Sequence, residues 1–421
     1  MKRNLWIPTL ILIAVLLSAC GAQAAATPTA VPTQAATPTG DGSIAAVPVC
    51  QTYRLLTEKP EAAKTMPPIT AQDWKIGPDN AYLTLIEYSD FQCPYCQQSS
   101  DGVKKFVADH PGEVQLVYRH YPLSGHDKSL ISTQAAEAAG LQGKFWEMHD
   151  LLFKAVTWDT WTSMSVDEFK TWIVDQAKTI DGLDVDQFSK DLTSDAIVKK
   201  AADARSVAEA IALPGTPSLY VLINSKVYFT PVDQVPANGE TLQVIYDVSK
   251  IMDKQYDACP PTVIDSGKSY TATLDTTKGK IVIELYADKA PVTVNSFVFL
   301  ARAGWFNNIP WHRVVENFVA QSGDPSGTGA GGPGYMFKNE ITDLKFDQAG
   351  VVGMANSGTN ENGSQFFITL AAASNLDGKY TVFGKVTEGM DVVNSLTRRD
   401  PQNDPVLADP DLIKSVTIEE K

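Results

Sequence analysis

The chain lacks a basic stripe. Its 421 residues hold 35 Lys and Arg against 49 Asp and Glu, a formal net charge of -14. A surface that neutralises nucleic-acid phosphates needs the opposite balance, which excludes a nucleic-acid partner. The acidity instead suits a protein that stays soluble after export. A membrane span is missing too. A span takes about 20 apolar residues, and the apolar run near the N-terminus, Leu5 to Leu17, is shorter. Cysteine is scarce, with five in all. Only Cys93 and Cys96 have CxxC spacing, so the four ligands of a structural zinc site are not at hand. Gln97, not histidine, follows Cys96, which excludes c-type haem attachment. Neither a metal nor a cofactor is expected.

What is present begins with Lys2, Arg3, the apolar run and Leu17-Ser18-Ala19-Cys20. A short positive region, an apolar core and small residues at a cleavage point are the layout of a secretory signal. The ending resembles a bacterial lipobox. That resemblance implies that residues 1–20 are a lipoprotein signal peptide and that Cys20 is the lipidated first residue of the mature chain. Residues 21–49 are rich in Thr, Pro and Ala and nearly uncharged. Such a segment buries too little apolar surface to fold, so a disordered, extended linker is expected. The expected location is the cell membrane, lipid-anchored on its extracytoplasmic face.

The remaining length exceeds one ordinary core, so more than one domain is expected. In residues 50–260, Ala81 to Ser89 alternates apolar and polar residues and reads as a strand. It runs into Asp90-Phe91-Gln92-Cys93-Pro94-Tyr95-Cys96 and a helical pattern through Val103, Phe106 and Val107. Val114 to His120 is a second strand. Helical patterns cover Ser129 to Phe153, the region of Phe169, Trp172 and Ile173, and Ala196 to Ile211. Gly215-Thr216-Pro217 then precedes a hairpin, Leu219 to Ile223 and Val227 to Thr230, and a last helix near Thr241 to Lys254. A cysteine in the first turn of a helix feels the positive end of the helix dipole, so its thiol pKa falls and it becomes the attacking sulfur. Cys93 has that place. Pro94 suits the first helical position, where an N–H would have no helical partner. Cys96, one turn on, is placed to resolve a mixed disulfide. An inert structural disulfide is the alternative for this pair.

This order of elements resembles the DsbA-like branch of thioredoxin-fold oxidoreductases, an α/β thioredoxin-like fold with a helical insert. The resemblance implies a redox-active Cys93–Cys96 disulfide, a cis peptide at Pro217, and substrate contacts from Thr216 and Pro217. The strongest oxidants of that family carry histidine where Tyr95 stands, so the direction of exchange stays open. His110, His120, His126 and His149 read as exposed or hydrogen-bonded, with no spacing that ties them to Cys93. With Cys93 paired to Cys96 and Cys20 lipidated, Cys50 and Cys259 remain. They are either a staple joining the two ends of this domain or two free or intermolecular thiols.

Past a linker at residues 261–268, the pattern changes. In residues 269–421, Tyr270 to Asp275 and Lys280 to Tyr286 alternate around a turn at Lys278-Gly279, and Ala290 to Ala303 reads helical. Short strands with glycine-rich turns follow, among them Val351 to Ala355, Phe366 to Leu370 and Thr381 to Val386, which argues for a mainly-β closed barrel. Five blocks resemble cyclophilins: Phe306 to Val315, Phe318 to Asp324, Gly350 to Ser357, Asn362 to Ile368, and Leu376 to Gly384. That resemblance implies peptidyl-prolyl cis-trans isomerase activity. Arg313 would donate toward the prolyl nitrogen and Gln321 would hold Arg313. Phe318, Val319, Phe367 and Leu376 would wall the proline pocket. Ala355, Asn356, Gln365 and Tyr380 would bind the extended peptide. Three positions depart from the common pattern: Val319 stands for a larger methionine, Asn375 for tryptophan and Tyr380 for histidine.

The sequence thus reads as an extracytoplasmic folding factor acting on unfolded or folding exported polypeptides, with a redox partner for its CxxC pair. The alternative is a non-catalytic peptide-binding or chaperone lipoprotein that uses both folds as grips. Mass spectrometry of the native protein is expected to find a lipid-modified N-terminus at Cys20. A mature chain that keeps Met1, or one released without lipid, contradicts that reading.

Overall fold

The computed structural model describes residues 50–356, 361–404 and 406–421. The signal peptide, Cys20, the linker at 21–49 and Ser357 lie outside the described residues. Among those described, no helix is long and apolar enough to cross a membrane. The chain forms two compact units, Leu56–Met252 on one side and Cys50–Leu55 with Asp253–Lys421 on the other. This moves two boundaries. Residues 50–55 and 253–268, expected in the middle domain or a linker, belong to the C-terminal unit. Backbone pairing is the reason: strand Cys50–Thr52 adds antiparallel to Tyr335–Lys338, and Tyr256 N–H donates to the Pro333 carbonyl at 2.8 Å.

The unit Leu56–Met252 is built on a five-stranded sheet ordered Trp74–Ile76, Val114–His120, Leu83–Ser89, Ser218–Ile223, Lys226–Phe229. The pair Leu83–Ser89 and Val114–His120 is parallel, joined by the helix Pro94–Asp109; the other neighbours are antiparallel. A parallel pair needs such a crossover, and helices then cover the sheet. Leu83, Leu85, Val103, Phe106 and Leu242 pack in one cluster, while Ile86, Tyr88, Val117, Tyr220 and Leu222 pack in another. The central strand is therefore buried at every position, its polar Thr84 and Glu87 included. The alternation seen in the sequence marks two covered faces rather than one wet face. Six helices between Ser129 and Ala210 form the insert. The expected continuous helix Ser129 to Phe153 is two, Ser129–Gly140 and Phe145–Phe153. The break contains Gly143 at φ +73°, a left-handed conformation that glycine adopts without steric penalty.

One buried carboxylate ties the insert to the sheet. Glu137 accepts from Trp74 Nε1 at 2.9 Å and Lys200 Nζ at 2.5 Å, and pairs with His120 Nε2 at 3.1 Å. Burial pushes its carboxyl up, but the His120, Lys200 and Trp74 interactions outweigh this and hold it at about 2.

The C-terminal unit carries an eleven-stranded antiparallel sheet among the described residues. Its path runs Cys50–Thr52, Tyr335–Lys338, Glu361–Thr369, Val351–Asn356, Val382–Glu388, Lys280–Leu285, Tyr270–Thr276, Leu412–Glu420, Ile309–Pro310. Arg313–Val315 and Val319–Ser322 branch from Glu361–Thr369. The path does not return on itself, so the sheet is an open half-barrel and not the closed barrel expected. Ile309–Pro310 is two residues long and pairs only with Leu412–Glu420. Proline has no N–H to extend that ladder toward Arg313–Val315. Helix Pro291–Arg302 fills the concave side with Val294, Phe297, Val298 and Leu300, packed with Phe306, Trp311, Phe366 and Phe383.

Replacing Glu137 with alanine leaves the buried His120 and the half-buried Trp74 without this partner, and frees the exposed Lys200. Glu137→Ala should destabilise the Leu56–Met252 unit by about 3–5 kcal/mol at pH 7 in urea unfolding of the full chain. The contribution of a carboxylate held at about 2 against an ordinary 4.5 is complete above 4.5 and lost as pH falls through 2. The gap between parent and variant should close over that range.

Candidate functional site

Cys93 is the N-cap of the helix Pro94–Asp109, with Pro94 at the first helical position. Both cysteines carry free thiols and are buried, so the structure holds the reduced pair and not the disulfide. Cys93 Sγ donates to the Thr216 carbonyl at 3.3 Å, and the Thr216–Pro217 peptide is cis. The hydrogen bond from Cys96 is the main cause that lowers the Cys93 thiol to about 6; burial opposes it, and Thr216 and the Cys96 and Tyr95 backbone assist. Cys96 is pushed the other way, well above its ordinary value, by burial and by Cys93. The geometry thus separates one thiolate former from one protonated thiol. Beside them lies a cavity of about 690 Å³ lined by Tyr95, Ser99, Gly215, Thr216, Pro217 and Val235. Tyr95 itself is 68% exposed at its edge.

Three residues near this pair escaped the sequence reading. Glu87, on the central strand, is pushed up to about 7 by burial, with Ser89 acting against it. Ser89 also acts on Cys96, so the carboxyl and the buried thiol share a neighbour. Asp90 is the third, and it brings in a histidine. Its buried carboxylate accepts from Ser129 Oγ at 2.6 Å, Gln92 N–H at 2.9 Å and Leu123 N–H at 3.0 Å, and pairs with His126 Nδ1 at 2.7 Å. That bond raises His126 above its ordinary value despite partial burial, and the Cys93 charge adds to the rise. His126 stands 33 residues from Cys93 in sequence, so only the fold brings its charge to the thiolate. The other three histidines of this unit stay hydrogen-bonded: His110 to the Phe106 carbonyl, His120 to Glu137 and His149 to Asp150.

In the C-terminal unit, antiparallel register sets Arg313 opposite Gln321, Gln321 opposite Phe367, and Phe367 opposite Gly353. The Arg313 guanidinium lies 5.6 Å from the Phe318 ring centre. Gln321 does not hold Arg313 as expected: its Nε2 donates to Gln365 Oε1 at 2.9 Å. Residues 365 and 367 share a sheet face by strand periodicity, which sets Gln365 beside the row. Val319, Phe367 and Leu376 gather in one apolar cluster, with Phe318, Ala355 and Tyr380 packed against it. Tyr380 meets Phe367 edge-on at 5.8 Å. Asn356 Nδ2 donates to Asn339 and Asn362 at 3.3 Å each, and Asn375 is exposed in the turn before Leu376. Phe346 is a wall residue that the sequence reading missed. It is fully buried and 5.3 Å from the Phe367 ring. Gly353 makes room for both, since a Cβ there would stand 2.6 Å from Phe367 and 2.7 Å from Phe346.

Cys50 and Cys259 form a disulfide, S–S 2.05 Å. The pairing is the staple expected between the segments that bracket the middle domain, and both of its cysteines belong to the C-terminal unit. Among the described residues, no group of histidine, cysteine, aspartate or glutamate is arranged to hold a metal ion.

A dithiol at a helix start on a mixed sheet and an arginine-bearing apolar groove on an antiparallel half-barrel define two classes of protein in one chain. Residues 70–237 match the family described as thioredoxin. Residues 271–418 match the family described as cyclophilin type peptidyl-prolyl cis-trans isomerase/CLD. A peptidyl-prolyl cis-trans isomerase-like 1 of Emericella nidulans is 50% identical over 128 residues, which are 30% of this chain and 79% of that protein. Its Homo sapiens counterpart is 45% identical over 155 residues, 35% of this chain and 92% of that one. A solved Cryptosporidium parvum cyclophilin type isomerase is 33% identical, covering 36% of this chain and 98% of its own, with TM-score 0.34. Through its C-terminal unit the chain belongs to the cyclophilin-type peptidyl-prolyl cis-trans isomerase family, and a thioredoxin-like domain accompanies it.

The split between the two thiols has a direct readout. Iodoacetamide should alkylate Cys93 with a pH midpoint near 6, while Cys96 stays unmodified at neutral pH. Faster labelling of Cys96, located by peptide mapping, contradicts the assignment.

Proposed function

We propose that the chain is an extracytoplasmic protein-folding factor that isomerises prolyl bonds with one unit and exchanges disulfides with the other. The row Arg313, Gln321, Phe367, with Gln365 bonded beside it, carries the first part. Rotation about an amide C–N bond meets a barrier of about 18–20 kcal/mol because the nitrogen lone pair is delocalised. A cationic donor aimed at the prolyl nitrogen draws that lone pair out of conjugation and binds the twisted form better than either planar one. Arg313 is that donor, with a guanidinium that stays charged. The cluster of Phe318, Val319, Phe346, Phe367 and Leu376 grips the ring while the chain on its other side turns. No bond breaks, so the step asks for no nucleophile or base.

For the second part, the depressed Cys93 thiol and the raised Cys96 thiol support a DsbA-like exchange. A Cys93 thiolate attacks a client disulfide, forms a mixed disulfide and releases one client thiolate. Cys96 gives up its proton to the released client thiolate and attacks Cys93 Sγ. This releases the second client thiolate and leaves Cys93–Cys96 oxidised. The reverse sequence oxidises a client dithiol. A thiolate stabilised at about 6 favours the reduced pair at neutral pH and so favours this oxidising direction. The cavity beside Thr216 and Pro217 takes the client strand. Export and a lipid anchor at Cys20 place the chain where exported polypeptides fold, with a redox partner to reset the dithiol. Proline isomerisation and disulfide formation are both slow folding steps, a physical reason to join them.

Arg313→Ala in the full chain should lower kcat for a prolyl peptide by on the order of tenfold to a thousandfold, since the lost bond strengthens in the transition state. Phe367→Ala should raise KM as well. An Arg313→Ala chain as fast as the parent overturns this mechanism and leaves the peptide-binding reading. For the dithiol, Cys96→Ser should trap mixed disulfides with clients and Cys93→Ser should not.

A further inference from the structure

The C-terminal unit contains two segments that lie outside its family match, residues 50–55 and 253–259, one on each side of the Leu56–Met252 unit in sequence. They converge on one glycine-rich segment, Gly329–Gly334. Gln255 Nε2 donates to the Gly332 carbonyl at 3.0 Å and is buried there. Tyr256 N–H donates to the Pro333 carbonyl at 2.8 Å, and Tyr53 N–H to the Gly334 carbonyl at 2.9 Å. The approach is close enough to demand glycine. A Cβ on Gly332 would stand 2.3 Å from the Tyr53 hydroxyl, and one on Gly334, at φ +88°, would stand 2.5 Å from the Tyr256 carbonyl oxygen. The Cys50–Cys259 disulfide links the two segments covalently, and Arg54 pairs with Asp257 between them.

The same glycine-rich segment supports the groove from its other side. Gln365 Nε2 donates to the carbonyls of Gly329 and Gly331, each at 2.9 Å. Gln365 Oε1 in turn accepts from Gln321 Nε2. Asp324 accepts from the Gly329 and Gly331 N–H groups at 2.7 and 3.0 Å. Those two peptides are thus held from below, while Gly332 to Gly334 are held by the added segments.

We propose that residues 50–55 and 253–259, closed by the Cys50–Cys259 disulfide, form a collar that positions the isomerase groove. The collar fixes Gly329–Gly334, and through that segment it fixes Gln365 and Gln321, the side chains that meet the peptide backbone. Gln255 and Tyr53 are positioning residues: they touch neither substrate nor Arg313. The inference rests on the isomerase reading above. Because Gln365 and Gln321 contact the peptide in ground state and transition state alike, loosening them weakens uniform binding.

The test compares the full-length parent with Gln255→Ala and with the double variant Cys50→Ala, Cys259→Ala, using a prolyl tetrapeptide. Both variants should raise KM about threefold to tenfold, the scale of one lost hydrogen bond, with kcat within about twofold of the parent. A merely structural role would instead shrink the folded fraction, lowering apparent kcat at unchanged KM. That result, or no change in either constant, overturns the proposal. If the double variant does not fold, Gln255→Ala decides alone. A parent without turnover refutes the isomerase reading, and the collar is then judged by fluorescence titration of the same peptide. A Kd raised by the same factor in Gln255→Ala upholds it, and an unchanged Kd overturns it.

Discussion

Arg313, Gln321 and Phe367 stand in one row across three antiparallel strands, and the C-terminal site depends on that register. Side chains alternate faces along a strand, so a slip of one residue would send Phe367 to the far side of the sheet and leave Arg313 facing nothing. Two features hold the row in place. Gly353 is the next member, and its missing side chain lets Phe367 and Phe346 close the apolar wall. Gln365 then pins the row laterally by spanning Gln321 and the glycine-rich segment. The chemistry proposed for this site is modest, a twisted amide stabilised by one cation, so the precision lies in placing the cation over a well-shaped apolar wall.

The thioredoxin-like unit solves a different problem with burial. A sheet covered on both faces leaves polar groups on it and against it nowhere wet to go, and three buried carboxylates there are put to use. Glu87, on the central strand, is pushed up to about 7 by burial. Asp90 stays bonded to four partners and carries a histidine to the thiolate's side. Glu137 gathers Trp74, His120 and Lys200 and so joins the helical insert to the sheet edge. Each buried carboxylate is compensated by named donors or by a rise in its own pKa, the two ways such a group is tolerated inside a protein.

Much of this was legible beforehand, for local reasons. The cysteine at a helix start, the proline after it and the strands on either side are short-range features, and their signals sit within a few residues. The five blocks of the C-terminal segment are contiguous in sequence, so Arg313, Phe318, Gln321 and Phe367 could be named by position. What escaped notice was non-local. His126 meets Asp90 across 36 residues, Phe346 reaches Phe367 from a loop, and strand Cys50–Thr52 pairs with residues 335–337. No periodicity announces such partners. The expected closed barrel failed for a related reason: strand existence is a local signal, whereas closure depends on which edges meet.

The sequence by itself determined the residue types of both sites, their order, and the helical or extended state of most segments, because propensity, capping and alternation act over one or two turns of chain. Only the tertiary structure decided the pKa shifts of Cys96, Glu87 and Glu137, since desolvation and neighbouring charges exist only once distant segments pack. It also decided that Cys50 and Cys259 belong to the C-terminal unit. A pairing of two residues 209 apart is set by which backbone each flanking segment bonds to, and that is written in the sheet and not in the spacing.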